Sequence, residues 1–401
     1  MTQRVLVTGI GMISAIGRNV DESLRSLMSG TTGIGPITRF ETIHKGHLPI
    51  AEVKMTNAEL LADIGHTGSN AFTRTALLGM KAAREAAFQA GIPVTPDERT
   101  GLVSATTVGG MDRSETFYGH FLEKPENGRL ADVVNHDCGD STERIARHLG
   151  ITGFTTTVST ACSSSVNAVM FAANMIRTGR LDRAIAGGTD SVTRFTLNGF
   201  NTLMILDKTG CHPFDDHRAG LTLGEGAAYL VLESEESARL GNRKVLGEIL
   251  GYGNANDAYH QTASSPEGTG ARMAMSRAIA MSGLSPADID YINVHGTGTQ
   301  NNDLSEGVAL KAIFGENLPP FSSTKGFTGH TLGAAGSVEM VISILAMNQG
   351  LLFPNPGFTT PMKELEISPV TVLTRKEIRH VLSNSFGFGG NNSSVVMGSE
   401  K

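Results

Sequence analysis

Val158-Ser159-Thr160-Ala161-Cys162-Ser163-Ser164-Ser165 is the stretch whose reading decides the fold, because it carries a cysteine from a strand-like run onto the start of a helix. Thr155 to Val158 are mostly β-branched. Val166, Val169, Met170, Ala173 and Ile176 then recur at helical spacing until Gly179 ends the segment. The order is strand, turn, helix. At a helix N-terminus, unpaired backbone N–H groups and the helix dipole stabilise negative charge, so a thiol there ionises more readily than a free one, whose pKa is about 8.5. Cys162 is therefore the candidate nucleophile, expected as a thiolate near neutral pH. The spacing alone fits a small buried hydrophobe at a tight turn equally well, so the rest of the chain has to decide.

Outward from that turn, the pattern repeats. The segment Ala71 to Ala90 reads as a helix, with Leu77, Met80, Ala83 and Ala87 along one face and a stop at Gly91 and Pro93, and the strand Gly101 to Ala105 follows. The same order recurs as a helix from Arg272 to Ser282, a stop at Gly283 to Pro286 and a strand from Tyr291 to Val294. The helix from Cys162 to Gly179 has a counterpart from about Gly333 to Gly350, each behind a Ser/Thr-rich strand or loop. Even the opening strand has a partner: Lys244 to Gly251 resembles Arg4 to Gly11, after a strand Ala228 to Leu232 and a charged helix ending near Gly241-Asn242. Two similar halves, 1–242 and 243–401, are expected, forming a layered α/β architecture in which two sheets share central helices. Such a duplication brings equivalent strand ends to one interface, a preferred place for a pocket.

Composition narrows the function classes. A chain of 401 residues exceeds one ordinary core. With 40% hydrophobic and 18% charged residues and 48 dispersed glycines, it reads as an enzyme-like globular protein rich in tight turns. A net charge of −6 offers no basic excess for nucleic acid or anionic lipid. Cys138, Cys162 and Cys211 are odd in number and lack metal-site spacing, so neither a disulfide framework nor a thiolate zinc site is indicated. No run suits a signal peptide or a membrane span, and the expected compartment is the cytoplasm. Gly9-Ile10-Gly11-Met12-Ile13-Ser14 misses the dinucleotide fingerprint at its last position, and its glycines are read as a turn.

Chemistry-bearing residues gather in the second half. His295 in Val294-His295-Gly296-Thr297-Gly298-Thr299 stands at a strand end where a Gly-rich turn would expose it, and Lys325 and His330 precede the helix that mirrors the Cys162 helix. A cysteine and two histidines at matching edges of a duplicated fold suggest nucleophilic catalysis with imidazole assistance. The loop Asn384-Ser385-Phe386-Gly387-Phe388-Gly389-Gly390-Asn391-Asn392 could turn backbone N–H groups toward an oxyanion.

Taken in order, TACSSS (160–165), HGTGT (295–299), KGFTGHTLGAAG (325–336) and NSFGFGGNN (384–392), with Pro213-Phe214-Asp215, Arg218, Gly220 and Gly224-Glu225-Gly226 between them, resemble the β-ketoacyl-acyl carrier protein synthases of the type II elongating group over essentially the full chain. The resemblance implies a thiolase-like five-layered αβαβα fold built from two duplicated βαβαβαββ halves, acting as a homodimer. It implies that Cys162 takes an acyl chain from a carrier-protein phosphopantetheine, and that His295 and His330 act on the malonyl group in a decarboxylative Claisen condensation. Lys325 and Glu339 match the family's supporting ion pair, expected to hold His330. The N–H groups of Cys162 and Phe388 match the oxyanion hole, Thr297 and Thr299 the pantetheine contacts, and Phe386 and Phe388 an aromatic gate over Cys162. Acyl carrier protein is the implied partner, and no metal or redox cofactor is implied.

Fatty-acid elongation is the expected pathway. The triple serine after Cys162 resembles polyketide or polyene-pigment ketosynthases as much. Leu203 to His212 is short for a fatty-acid elongating enzyme, and the basic cluster expected for carrier-protein docking is thin, with Arg74 and Lys81 its main candidates. A degradative thiolase would need a second cysteine near the C-terminus, starter-type synthases carry Asn where His330 stands, and silent chain-length partners lack the nucleophile.

Overall fold

The computed structural model describes residues 3–66, 72–92 and 97–400. Strands β1 (Val5–Ser14), β2 (Thr100–Ala105), β3 (Thr155–Val158), β4 (Arg183–Asp190) and β5 (Gly226–Ser234) belong to the first half, and β6 (Gly247–Asn256), β7 (Tyr291–Asn293), β8 (Phe321–Ser322), β9 (His380–Gly387) and β10 (Asn391–Gly398) to the second. Hydrogen bonding orders them β3-β2-β4-β5-β1 and β8-β7-β9-β10-β6, so the two halves have one topology. In each, the first three strands run parallel and the last two pairings are antiparallel. The expected two sheets are hydrogen-bonded into one: β1 meets β6 along a short antiparallel seam, Leu6 opposite Glu248 and Val7 opposite Gly247.

Helices complete five layers. Helix α1 (Arg74–Gln89) covers β1 and β5 from outside, and α2 (Ser164–Arg177) lies on β2 and β4. Helices α3 (Thr269–Ser282) and α4 (Gln300–Phe314) cover the second half, with α3 on β6 and β10. Helix α5 (Ala335–Gln349) touches β5, β9 and α2, which places it in the middle layer. Its residues from Ala335 to Met347 are all buried, as a helix packed on every side requires. Among the described residues, no helix is long and apolar enough to cross a membrane.

Several boundaries differ from expectation for identifiable reasons. Helix α1 starts at Arg74 because the Thr73 hydroxyl accepts the Ala76 N–H at 3.1 Å, an N-cap; Ala71 and Pro93 lie outside the described residues. The strand expected from Lys244 begins at Gly247 and runs on to Asn256. The larger correction concerns Gly9 and Gly11, which form no turn but stand inside β1. A Cβ at Gly9 would lie 2.3 Å from the Ala86 carbonyl oxygen, and one at Gly11 would lie 2.0 Å from that of Ala82. They let α1 press its backbone onto the strand. Gly251 and Gly253 do the same for α3, with Cβ positions 2.3 Å and 2.2 Å from the carbonyl oxygens of Ala278 and Ala274. The duplication thus extends to its closest helix–sheet contacts.

Candidate active site

Between β3 and α2 the chain makes a tight elbow. Ala161 has φ +53°, a left-handed conformation costly for a residue with a side chain. Local hydrogen bonds hold it: the Ser164 hydroxyl donates to the Ala161 carbonyl at 2.5 Å and accepts the Thr160 N–H at 2.8 Å, while the Ser163 hydroxyl donates to the Thr160 carbonyl at 2.8 Å. Ser165 accepts the Ser337 N–H at 2.9 Å, stitching α2 to α5. The triple serine therefore shapes the elbow and the seam between halves.

Cys162 sits on this elbow, 7% exposed, and the helix begins two residues later, at Ser164. Burial pushes its thiol up to about 11, against the pull of Lys325 and of the N–H groups of Phe388 and of Cys162 itself. The expectation of a resting thiolate is therefore corrected, because desolvation of a buried sulfur outweighs a helix end and one nearby cation. With the folded pKa raised, the thiolate fraction still grows throughout the neutral to alkaline range. Alkylation of Cys162 by iodoacetamide, followed by mass spectrometry, should accelerate about tenfold per pH unit from pH 7 to 9. A plateau below pH 8 would restore the thiolate reading.

His295 follows β7 and His330 precedes α5; each is 1% exposed, so the Gly-rich turn does not expose His295 as expected. Glu306, on α4, accepts the N–H groups of His295 and Gly296, both at 2.9 Å, and the Asn384 amide at 3.0 Å. Asp303 accepts the N–H groups of Thr297 at 3.0 Å and Phe214 at 2.8 Å. Neither acid was identified from sequence. Burial pushes Glu306 up to about 7 against those hydrogen bonds.

The partners at each Nδ1 assign the tautomers. Lys325 Nζ directs its protons to the Glu339 carboxylate, to the His295 carbonyl oxygen at 2.5 Å and to His295 Nδ1 at 3.2 Å. An ammonium has no acceptor, so His295 Nδ1 accepts and Nε2 carries the ring proton. His330 Nδ1 accepts the Leu332 N–H at 3.0 Å, which leaves its Nε2 protonated too. The Lys325–Glu339 pair therefore holds His295, not His330 as expected. Burial and the charge of Lys325 hold both imidazoles well below their ordinary pKa, and His330 adds to the effect on His295, so both are neutral. Burial also pushes Glu339 up to about 7 against the attraction of Lys325.

The two rings stand 5.4 Å apart at 88°. Ligand-type atoms of Cys162, His295 and His330 all lie within 4.8 Å of one another, a donor set that could hold a thiophilic cation. The tautomers argue against that use, since a cation would meet Nε2–H hydrogens on both rings. The arrangement suits an oxygen that gains negative charge.

Two cavities meet at Cys162. One, of about 450 Å³, is lined by His295, His330, Thr297, Thr299, Phe386 and Phe388, among others, and among the described residues no Lys, Arg, Asp or Glu lines it. The other, of about 410 Å³, is largely apolar, with Thr107, Val108, Phe195, Leu203 and Leu332 in its wall. Phe388 stacks on Phe200 with centroids 5.9 Å apart, and both rings border both cavities; Phe200 was not singled out from sequence. Phe386 lies 5.9 Å from the His295 ring, and the hydroxyls of Thr297 and Thr299 are 2.9 Å apart. The basic docking candidates fare differently. Arg74 is buried in a two-bond pair with Glu225, at 2.8 and 2.6 Å, and Lys81 pairs with Asp63 at 2.7 Å, so Arg74 offers no docking charge.

A buried thiol facing two imidazole N–H groups across a duplicated α/β fold defines a condensing acyltransferase. The chain belongs to the β-ketoacyl synthase family, matching its N-terminal domain over residues 2–238 and its C-terminal domain over residues 246–359. It is 35% identical over 408 aligned residues to the 3-oxoacyl-[acyl-carrier-protein] synthase 2 of Staphylococcus aureus (strain COL), and 33% identical over 409 to that of Coxiella burnetii, each covering 98% of both chains. Among solved structures it resembles the ishigamide ketosynthase/chain length factor, with TM-score 0.96, 31% identity and all of both chains covered. It also resembles the ketosynthase ApeO in complex with its chain length factor ApeC from Xenorhabdus doucetiae, with TM-score 0.87, 32% identity, and 99% of this chain and 98% of that one covered. The thiolase-like fold expected from sequence is the fold of these ketosynthases.

Proposed function

We propose that the protein joins an acyl chain to a malonyl unit, both delivered by acyl carrier protein, and releases a 3-oxoacyl-acyl carrier protein two carbons longer in fatty-acid elongation. The observation that carries this reading is the convergence of the Cys162 thiol with two Nε2–H donors from the other half. In the first step Cys162 Sγ bonds to the acyl carbon. The pantetheine sulfur leaves with the thiol proton, while the N–H groups of Cys162 and Phe388 stabilise the oxyanion. The acyl tail lies in the apolar cavity.

Malonyl thioester then enters the uncharged cavity, whose hydroxyls Thr297 and Thr299 suit the neutral amides of pantetheine. As carbon dioxide leaves, the electron pair of the broken bond passes into the thioester as an enolate. The Nε2–H groups of His295 and His330 stabilise its oxygen. The enolate carbon attacks the acyl thioester, the Cys162 C–S bond breaks, and the departing sulfur takes up a proton from water. We further propose that the chain is organised as halves 1–242 and 243–401 and works in the cytoplasm as a homodimer. The free outer edge of β3 supports pairing with a second chain, as does the helix Met111–Glu123, none of whose residues is buried and which exposes Tyr118, Phe121 and Leu122.

A second reading, a ketosynthase of a polyene or polyketide pathway beside a chain-length partner, is favoured by the TM-score of 0.96 to the ishigamide ketosynthase/chain length factor. One experiment addresses both. The protein is incubated with malonyl-acyl carrier protein and a panel of saturated and polyunsaturated acyl donors, and enzyme and products are weighed intact. An acyl adduct on Cys162 and a product two carbons longer are expected, with the preferred donor naming the pathway. No adduct from any donor would overturn the condensing reading.

A further inference from the structure

Asp190 closes β4 with a fully buried carboxylate, and every group that touches it is a donor. Its Oδ1 accepts the Thr106 hydroxyl at 2.5 Å and the N–H groups of Thr107 and Val108, both at 3.0 Å. Its Oδ2 accepts the Thr107 hydroxyl at 2.6 Å, the same Thr107 N–H at 3.1 Å and, from the second half, the Gly333 N–H at 2.7 Å. Burial pushes the carboxyl upward, against the hydroxyl and backbone N–H donors that favour its charged form.

The chain on either side of those donors belongs to the site. Thr107 and Val108 form part of the wall of the apolar cavity, and so does Leu332, whose N–H donates to His330 Nδ1. Leu332 has φ +52°, a strained conformation that needs an external hold. The Gly333 peptide supplies that hold through Asp190, and a Cβ at Gly333 would lie 2.8 Å from Asp190 Oδ2, so the contact leaves no slack.

We propose that Asp190 is a positioning residue that keeps the Leu332 N–H on His330 Nδ1, so that His330 presents its Nε2–H to the substrate, and ties that histidine to the wall of the acyl cavity. The proposal rests on the condensing reading above, but its key measurement does not. Asp190→Asn places one NH2 group among donors. Two backbone N–H groups point at each oxygen, that of Thr107 at both, so an amide nitrogen on either side opposes a backbone donor and loosens the carboxylate grip that holds the Gly333 N–H. Leu332 is then released and His330 can carry its proton on either nitrogen.

Three readouts test this in the full-length protein. The imidazole 15N resonances of His330, assigned by comparison with His330→Ala, should report the Nε2–H tautomer in the parent and a mixture in Asp190→Asn. Decarboxylation of malonyl-acyl carrier protein should fall about tenfold or more. Acylation of Cys162 by a short acyl donor should slow by no more than about threefold, because the hydrogen bonds of Asp190 run to Thr106, Thr107, Val108 and Gly333 and its charge pushes the Cys162 thiol upward, so losing that charge does not disfavour the thiolate. Gly333→Ala, which crowds the same link from the other side, should reproduce the pattern. An unchanged His330 tautomer in Asp190→Asn, or equal losses in both half-reactions, would overturn the proposal. A parent protein that performs neither half-reaction would overturn the condensing reading instead, while the 15N measurement still decides the role of Asp190.

Discussion

Replacing Cys162 with alanine abolishes the acyl-enzyme and lowers condensation by on the order of 10⁴-fold or more, the scale seen when a catalytic nucleophile is removed. Decarboxylation of malonyl-acyl carrier protein survives, because the donors that stabilise the enolate take their tautomers from Lys325 and the Leu332 N–H, not from the sulfur. The check is paired: intact mass for the adduct, and carbon dioxide release for the other half-reaction. If both activities vanish from a Cys162→Ala protein that still melts cooperatively, the separation of roles between the sulfur and the imidazoles is wrong.

The second large effect is expected at Lys325. Its replacement by methionine leaves Glu339 buried without its cation, at a cost of about 3–5 kcal/mol in stability. The loss should be smaller at pH 6 than at pH 8. Glu339 is already pushed up to about 7, rises further without Lys325, and becomes neutral as pH falls. His295 Nδ1 also loses its donor, so the ring no longer holds its proton on Nε2. Decarboxylation should drop about 10²–10³-fold, the size of one lost oxyanion donor. The double variant Lys325→Met/Glu339→Met removes both charges and should recover most of the stability but none of the rate. Recovery of the rate in the double variant would show that Lys325 acts through charge balance alone rather than by orienting His295.

Much of the architecture was legible because the chain states it twice. Helices ended by glycine and followed by β-branched strands recur in the same order, and the strand order is the same in both halves. Cys162, His295 and His330 were visible because each stands next to turn-forming residues at a strand or helix edge. The acids beneath them were not. Asp190, Asp303 and Glu306 look like solvated charges in sequence, and become internal only when donors from remote segments converge on them. Gly9 and Gly11 were misread because a glycine that permits a turn and one that permits a close helix contact are the same letter. Arg74 looked like docking charge because its partner Glu225 is distant in sequence. The ionisation of Cys162 was misjudged because a local helix end can be seen in sequence and the depth of burial cannot.

The short seam between β1 and β6, backed by a middle helix buried on every side, bears on how a thioester reaches the sulfur. Nucleophile and imidazoles come from opposite sides of that seam, so a clamshell opening of the halves would dismantle the catalytic group while admitting the substrate. Passage has to come from small swings at the rim, where Phe388 stands beside Gly387 and ahead of Gly389 and Gly390 with φ +78° and +76°. An aromatic ring set among glycines can turn while the layers beneath it keep their places.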